Sequence, residues 1–196
     1  MEIINKIAKI REKLDLYGKP YITEKLLQKL LDKFAPNYSI TNLSNLGLIT
    51  PIKRGKVYIN NKYNAFVNPF VVGDLYMGGD LYIFGGLGVY NRYGLSEQVA
   101  DWQTIYNTKI SGKKIIGNSK FIFVRQRENF FYGGKREKFE EYSYEIMTIE
   151  RAFIQMINEG KEFGKLPYGI NKEKLLKMSK RYSSKSLLSK IEKLCI

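Results

Sequence analysis

Apolar residues recur at helical spacing through the first fifty positions. Ile3, Ile7, Ile10 and Leu14 fall on one face, with Lys6, Lys9, Arg11 and Lys13 off it, and Gly18-Lys19-Pro20 ends the run. Leu26, Leu27, Leu30, Leu31 and Phe34 form a second, broader stripe behind Thr23, whose hydroxyl suits a helix cap. A third helix is expected to begin at Pro36, with Ile40, Leu43 and Leu46 facing inward and Gly47 stopping it. Its outward positions are then Asn37, Tyr38, Thr41, Asn42 and Asn45, uncharged groups able to hydrogen-bond base edges and sugar-phosphate oxygens. The pattern next switches to the short β-prone runs "LITPI" and "VYIN", joined by Lys53-Arg54-Gly55-Lys56.

Three helices followed by a basic hairpin predict a winged helix-turn-helix over residues 1–62. In such a fold a helix fills the major groove and a cationic wing, here Lys53, Arg54 and Lys56, lies along the backbone. Small domains of this type also serve as protein-interaction modules.

Beyond Asn60 the texture changes, and a boundary is expected between Asn60 and Pro69, with a mixed α/β domain over 63–196. "DLYIF" reads as a strand, "GLGVYNRYGL" as a short helix, and "DWQTIYNTK", "KFIFVRQR" and "FFYGG" as further strands or hairpin arms. Helices return with Ile149, Phe153, Met156 and Ile157 on one face, then Leu175, Leu176 and Met178, then Leu187, Leu188, Ile191 and Leu194. The fold class expected is α+β, with strands first and helices last in the second domain.

Charge sharpens this picture. Against 33 Lys and Arg stand 19 Asp and Glu, a net +14. Residues 1–60 carry 11 basic and 5 acidic groups, 61–110 carry 3 and 4, and 111–196 carry 19 and 10. Two basic ends around a neutral middle attract polyanions, nucleic acid first. The chain has no histidine, which excludes a Ser-His-Asp triad, a Cys-His pair and a His-ligated metal. The sole cysteine, Cys195, excludes an internal disulfide. The apolar runs are short and interrupted, and "MEIINKIAKIREK" alternates Ile with charge, so a cytoplasmic protein away from membranes is expected.

The glycine-rich "GGLGVYNRYGLSEQ" raises the question of phosphate binding. A P-loop needs Gly-x-x-x-x-Gly-Lys-Ser/Thr, and in a dinucleotide loop a third glycine would stand where Asn91 stands, so neither pattern is met. Close packing of a helix on its sheet is the expected role of these glycines. Glu140, Glu141 and Glu145 near Lys138, or Asp74 with Asp80, are the carboxylates that a metal-dependent nuclease would use; a solvated charge run is the simpler explanation of them. No cofactor and no catalysis are expected.

In order and spacing, "NLSNLGLITPIKRGKVYI", "YIFGGLGVYNRYGLSEQ", "TIYNTK", "FYGG" and "YEIMTIERAFIQMI" resemble the AbiEi-like antitoxins of type IV toxin-antitoxin systems over nearly the whole chain. "RGKVYI" is similar to that family's wing, "GLSEQ" to its Gly-Leu-Thr-Glu-Gln, and "TIERAFIQMI" to its Pro-Glu-Arg-Thr-Leu-Leu-Asp helix start, with Ile149 in place of Pro. The resemblance implies an autorepressor whose winged helix binds operator DNA and whose C-terminal domain neutralises a nucleotidyltransferase-like toxin. The alternatives are a protein-interaction module that does not touch DNA, and an RNA-binding or nuclease-like protein.

Overall fold

The computed structural model describes residues 2–53, 55–181 and 184–195, with side chains from Lys6 onward. The fold is mixed α/β with helices at both ends, and it divides into two compact units. One comprises the chain up to Gly78 together with Ile115–Ser119; the other comprises Gly79–Lys114 and Lys120 onward.

Unit one runs α1 (Glu2–Tyr17), β1 (Tyr21–Thr23), α2 (Glu24–Phe34), α3 (Ile40–Asn45), β2 (Ile49–Lys53), β3 (Val57–Asn60), a 3-10 turn (Asn61–Phe66) and α4 (Pro69–Met77). The strands form an antiparallel sheet in the order β1-β3-β2. Thr23 caps α2 as expected, its hydroxyl accepting the Leu26 amide. Ile10, Leu14, Leu27, Leu31, Leu43, Ile49 and Tyr58 make one buried cluster. Each such side chain contributes roughly 1.5–3 kcal/mol by leaving water. Asn60, buried at the end of β3, donates to the Leu14 carbonyl at 2.9 Å, so the sheet end is tied to the end of α1 without an unsatisfied amide.

Two expectations are displaced. The division between compact units falls at Gly78, beyond the expected 62/63 boundary, because α4 belongs with the first sheet: Tyr21 Oη reaches the Asn68 carbonyl, Lys53 Nζ the Met77 carbonyl, and Val71 and Val72 are buried. The third helix starts at Ile40, not Pro36. Ser39 caps it, and the Pro36–Ser39 stretch is a turn and extended chain.

Apart from the Ile115–Ser119 stretch that ends β6 and starts β7, unit two holds a six-stranded mixed sheet in the order β6-β7-β5-β4-β9-β8. Its elements are β4 (Tyr82–Gly85), α5 (Gly86–Arg92), β5 (Gln103–Asn107), β6 (Gly112–Ile116), β7 (Ser119–Arg125), β8 (Gly134–Phe139), β9 (Tyr142–Met147), α6 (Ile149–Asn158), α7 (Lys172–Ser179) and α8 (Lys185–Cys195). β4 pairs antiparallel with β5 and parallel with β9, and β5 is parallel to β7. Every residue of β4 is buried, as a central strand requires. "FFYGG" is not a strand: Phe130 closes a 3-10 turn, and only Gly134 enters β8. The two edges are the exposed strands "GKKII" and "GKREKF", whose lysines discourage pairing with another sheet.

The glycine-rich segment is where α5 meets the sheet. A Cβ on Gly85 would lie 2.8 Å from Met147 Sδ and from a Tyr106 ring carbon, one on Gly86 2.7 Å from Thr104 Cβ, and one on Gly88 would overlap the Gln103 carboxamide. Gly86 also has φ +68, in the left-handed region. Their small size lets α5 lie directly on β5.

A chain of hydrogen bonds that starts at buried Arg151 and ends at exposed Glu159 binds unit two together. Arg151 on α6 donates to Gln155 Oε1 at 3.1 Å, Gln155 donates to Glu159 at 3.0 Å, and Glu159 accepts from Tyr90 on α5 and Tyr106 on β5. Burial, then the neighbouring tyrosine and Glu159 carboxylate, raise the Tyr90 pKa; burial and Glu159 raise that of Tyr106, so both hydroxyls stay protonated donors. Elsewhere burial pushes the Glu137 carboxyl up, but the Lys135 hydrogen bond and the Arg92 charge outweigh it and hold it below the ordinary 4.5. Glu150 is similar: its burial is outweighed by the Lys174 hydrogen bond, backbone and Thr148 hydrogen bonds and the Lys174 charge, with Lys174 Nζ at 2.9 Å.

Gly86→Ala is expected to cost about 2 kcal/mol or more in urea unfolding, from overpacking and a left-handed alanine, whereas Gly164→Ala, with open space around it, stays within about 0.5 kcal/mol. Equal effects would contradict the packing role. Because folding lowers both carboxyl pKa values, the stability that they contribute is complete above pH 4.5 and is lost as the pH falls through their lowered values. Unfolding followed from pH 7 to pH 3 should therefore show a decline below about 4.5 that is shallower in Glu137→Gln; the same slope in the variant would remove Glu137 from the account.

Candidate nucleic-acid interface

α3 has only six residues, and both its ends are fixed locally. At the start, the Ser39 hydroxyl accepts the Asn42 amide at 3.2 Å while Asn42 Oδ1 accepts the Ser39 amide at 2.8 Å, a reciprocal capping box. At the end, Gly47 takes φ +67, and the Leu48 amide returns to the Leu43 carbonyl at 3.0 Å. Between them Leu43 is fully buried, which turns Thr41, Asn42 and Asn45 to the surface.

The eight residues expected to meet nucleic acid separate into groups. Asn37, Thr41 and Asn45 are exposed, Asn37 in the turn before the helix and the other two on it. Asn42 is exposed, but its carboxamide oxygen is engaged in the cap. Tyr38 also precedes the helix and is half-buried, packed against the unit-one core rather than presented on the polar face. Leu46, expected to point inward, is 53% exposed.

The basic turn is likewise divided. Lys53 Nζ donates to the Met77 carbonyl at 3.2 Å, at the C-terminal end of α4, where a cation is favoured by the helix dipole. Its charge is used inside the unit. Arg54 lies outside the described residues. Lys56 is exposed, and its carbonyl accepts the Glu24 amide at 2.9 Å, which holds the turn against the start of α2.

The structure adds a second cationic set that the sequence reading does not include. Lys25, Lys29 and Lys33 follow one another at four-residue spacing along α2 and are all exposed, a stripe on the helix that immediately precedes α3. The signal that could have found them is that same spacing, which the apolar stripe of the helix overlies in the sequence. Of the 19 basic residues in 111–196, Lys113, Lys114, Lys135, Arg136 and Lys138 sit on the two sheet edges.

Glu140 lies in the β8–β9 turn with φ +53, Glu145 stands 3.9 Å from Arg136 Nε, and among the described residues no group of three or more acidic or cysteine side chains is placed to hold a metal ion. No helix among the described residues is long and apolar enough to cross a membrane.

No family model matches the chain, and no curated protein is significantly similar to it.

Asn42→Ala is expected to lower stability by about 1 kcal/mol, the usual worth of a cap, whereas Thr41→Ala and Asn45→Ala stay within about 0.5 kcal/mol. Thermal unfolding of the three variants checks this; an Asn42 variant as stable as the parent would show the box to be dispensable.

Proposed function

We propose that unit one is a winged helix that binds double-stranded operator DNA, and that the chain is a transcriptional autorepressor and antitoxin of a type IV system. The supporting observation is the order helix-strand-helix-helix-strand-strand around a three-stranded antiparallel sheet, with an uncharged polar face on α3 beside a lysine stripe on α2. In helix-turn-helix readers the second helix of the pair enters the major groove and the first crosses the backbone. Thr41 and Asn45 then read bases, Asn42 orders the helix that carries them, and Lys25, Lys29, Lys33 and Lys56 neutralise phosphates.

The antitoxin part of the reading rests on the family resemblance of "YGLSEQ" and "TIERAFIQMI". On this reading unit two takes the role of neutralising a nucleotidyltransferase-like toxin, acts without catalysis or cofactor, and the protein works in the cytoplasm. A protein-interaction module draws on one observation of its own: Leu16 on α1 is 70% exposed and lines a cleft with Leu46, Ile7 and Leu48.

Fluorescence anisotropy with the duplex upstream of the gene, at several salt concentrations, tests the reading. Lys25→Ala with Lys29→Ala should weaken binding to upstream and random DNA alike and reduce the salt slope by about two. Thr41→Ala with Asn45→Ala should cut the preference for upstream DNA by roughly 1–3 kcal/mol for each base that is no longer read. Absence of binding at low salt would overturn DNA recognition, and equal weakening on both DNAs would mean that α3 touches only the backbone.

A further inference from the structure

Within unit two, the chain after β7 turns back and builds a cleft of about 250 Å³ lined by Gln126, Arg127, Asn129, Phe130, Tyr132, Arg151 and Arg181, none of which is among the residues assigned to DNA. Three of the seven lining residues are arginine, and no acidic residue lines it; Glu128 lines the neighbouring cleft with Arg125.

The guanidinium of Arg151 is fixed. The residue is 0% exposed, its Nη1 donates to Gln155 Oε1, and its guanidinium carbon lies 4.6 Å from the Phe130 ring centre and 4.7 Å from that of Tyr132. Arg181, past the end of α7, shares the second of these rings, at 5.8 Å from the Tyr132 centre. Gly133 has φ +67, and a Cβ there would lie 3.0 Å from Arg151 Cβ, so the backbone itself closes on the arginine. Burying a guanidinium is costly, and placing two more beside it adds repulsion. An anion in the cleft offsets the repulsion among the three guanidinium groups that line it.

We propose that this cleft binds a phosphoryl dianion, either free phosphate or the phosphate monoester of a small molecule. Guanidinium forks match phosphate oxygens two at a time, which a lone lysine cannot do. Arg127 and Arg181 close on the dianion from the rim while Arg151 supplies fixed charge from below, and the Gln126 and Asn129 carboxamides add neutral donors. The volume is somewhat below the usual range of about 300–1,000 Å³ for ligand sites, so the ligand is a small one with its ester group projecting outward. This site is independent of the DNA reading.

Isothermal titration of the full chain with inorganic phosphate, ribose 5-phosphate, AMP and adenosine tests it. Phosphate or the two esters should bind, and adenosine should not. Equal affinity for phosphate and AMP assigns free phosphate as the occupant; tighter AMP assigns an ester. Arg127→Gln and Arg181→Gln, both at exposed positions and each verified by unfolding, should weaken binding at least about tenfold, whereas Lys190→Gln on α8 leaves it unchanged. Adenosine binding as well as AMP, no phosphate compound binding below about 10 mM, or arginine variants binding like the parent would overturn the proposal.

Discussion

A six-residue helix does not persist in water by itself, because the cost of its first turn is not recovered over so few hydrogen bonds. α3 exists because Leu43 is held in the cluster of Ile10, Leu14, Leu27, Leu31 and Ile49, and because Ser39 and Asn42 satisfy one another at its start. The polar face of α3 depends on that burial: with Leu43 turned inward, Thr41 and Asn45 have no direction left but outward. The lysine stripe follows from the same cluster, since the burial of Leu27 and Leu31 leaves Lys25, Lys29 and Lys33 on the exposed side of α2.

Unit two solves a different problem. Its sheet has two open edges, and lysine and arginine along β6 and β8 protect both. Five of the 19 basic residues of 111–196 therefore serve to protect the edges of a mixed sheet. The more specific cations are the ones that do not sit on edges. Arg92 pairs with Glu137, and Arg151 ties α6 to Phe130, Tyr132 and Gln155. The latter chain continues through Glu159 to Tyr90 and Tyr106, so helix, loop and strand share one polar network.

Legibility followed the strength of local signals. The start of α2 and the end of α1 were readable, because Thr23 and Gly18-Lys19-Pro20 act within a turn of the helix that they bound. Pro36 misplaced α3, since its fixed φ suits a first turn but the Ser39–Asn42 box competes for the same role three residues on. α4 escaped notice because it is apolar on nearly every side and has no stripe to read. β1 is three residues long and pairs with Tyr58 and Ile59 far along the chain, and β8 is a largely exposed edge strand with four charged residues in succession and no apolar alternation. At the interface, the exposure of Thr41 and Asn45 followed from spacing, whereas the capture of Lys53 by the Met77 carbonyl and the packing of Tyr38 on the core depend on tertiary neighbours. The arginine cleft joins Gln126, Arg127, Asn129, Phe130 and Tyr132 to Arg151 and Arg181, which no local pattern connects.

Amide chemical-shift mapping of the full chain titrated with the upstream duplex tests the central claim most directly, because it reports where DNA touches without altering any residue. The account predicts that the largest shifts cluster on Thr41, Asn45 and their neighbours in α3, on Lys25, Lys29 and Lys33, and at Lys56. Shifts confined to the lysine-rich edges of unit two, or absent throughout, would contradict it.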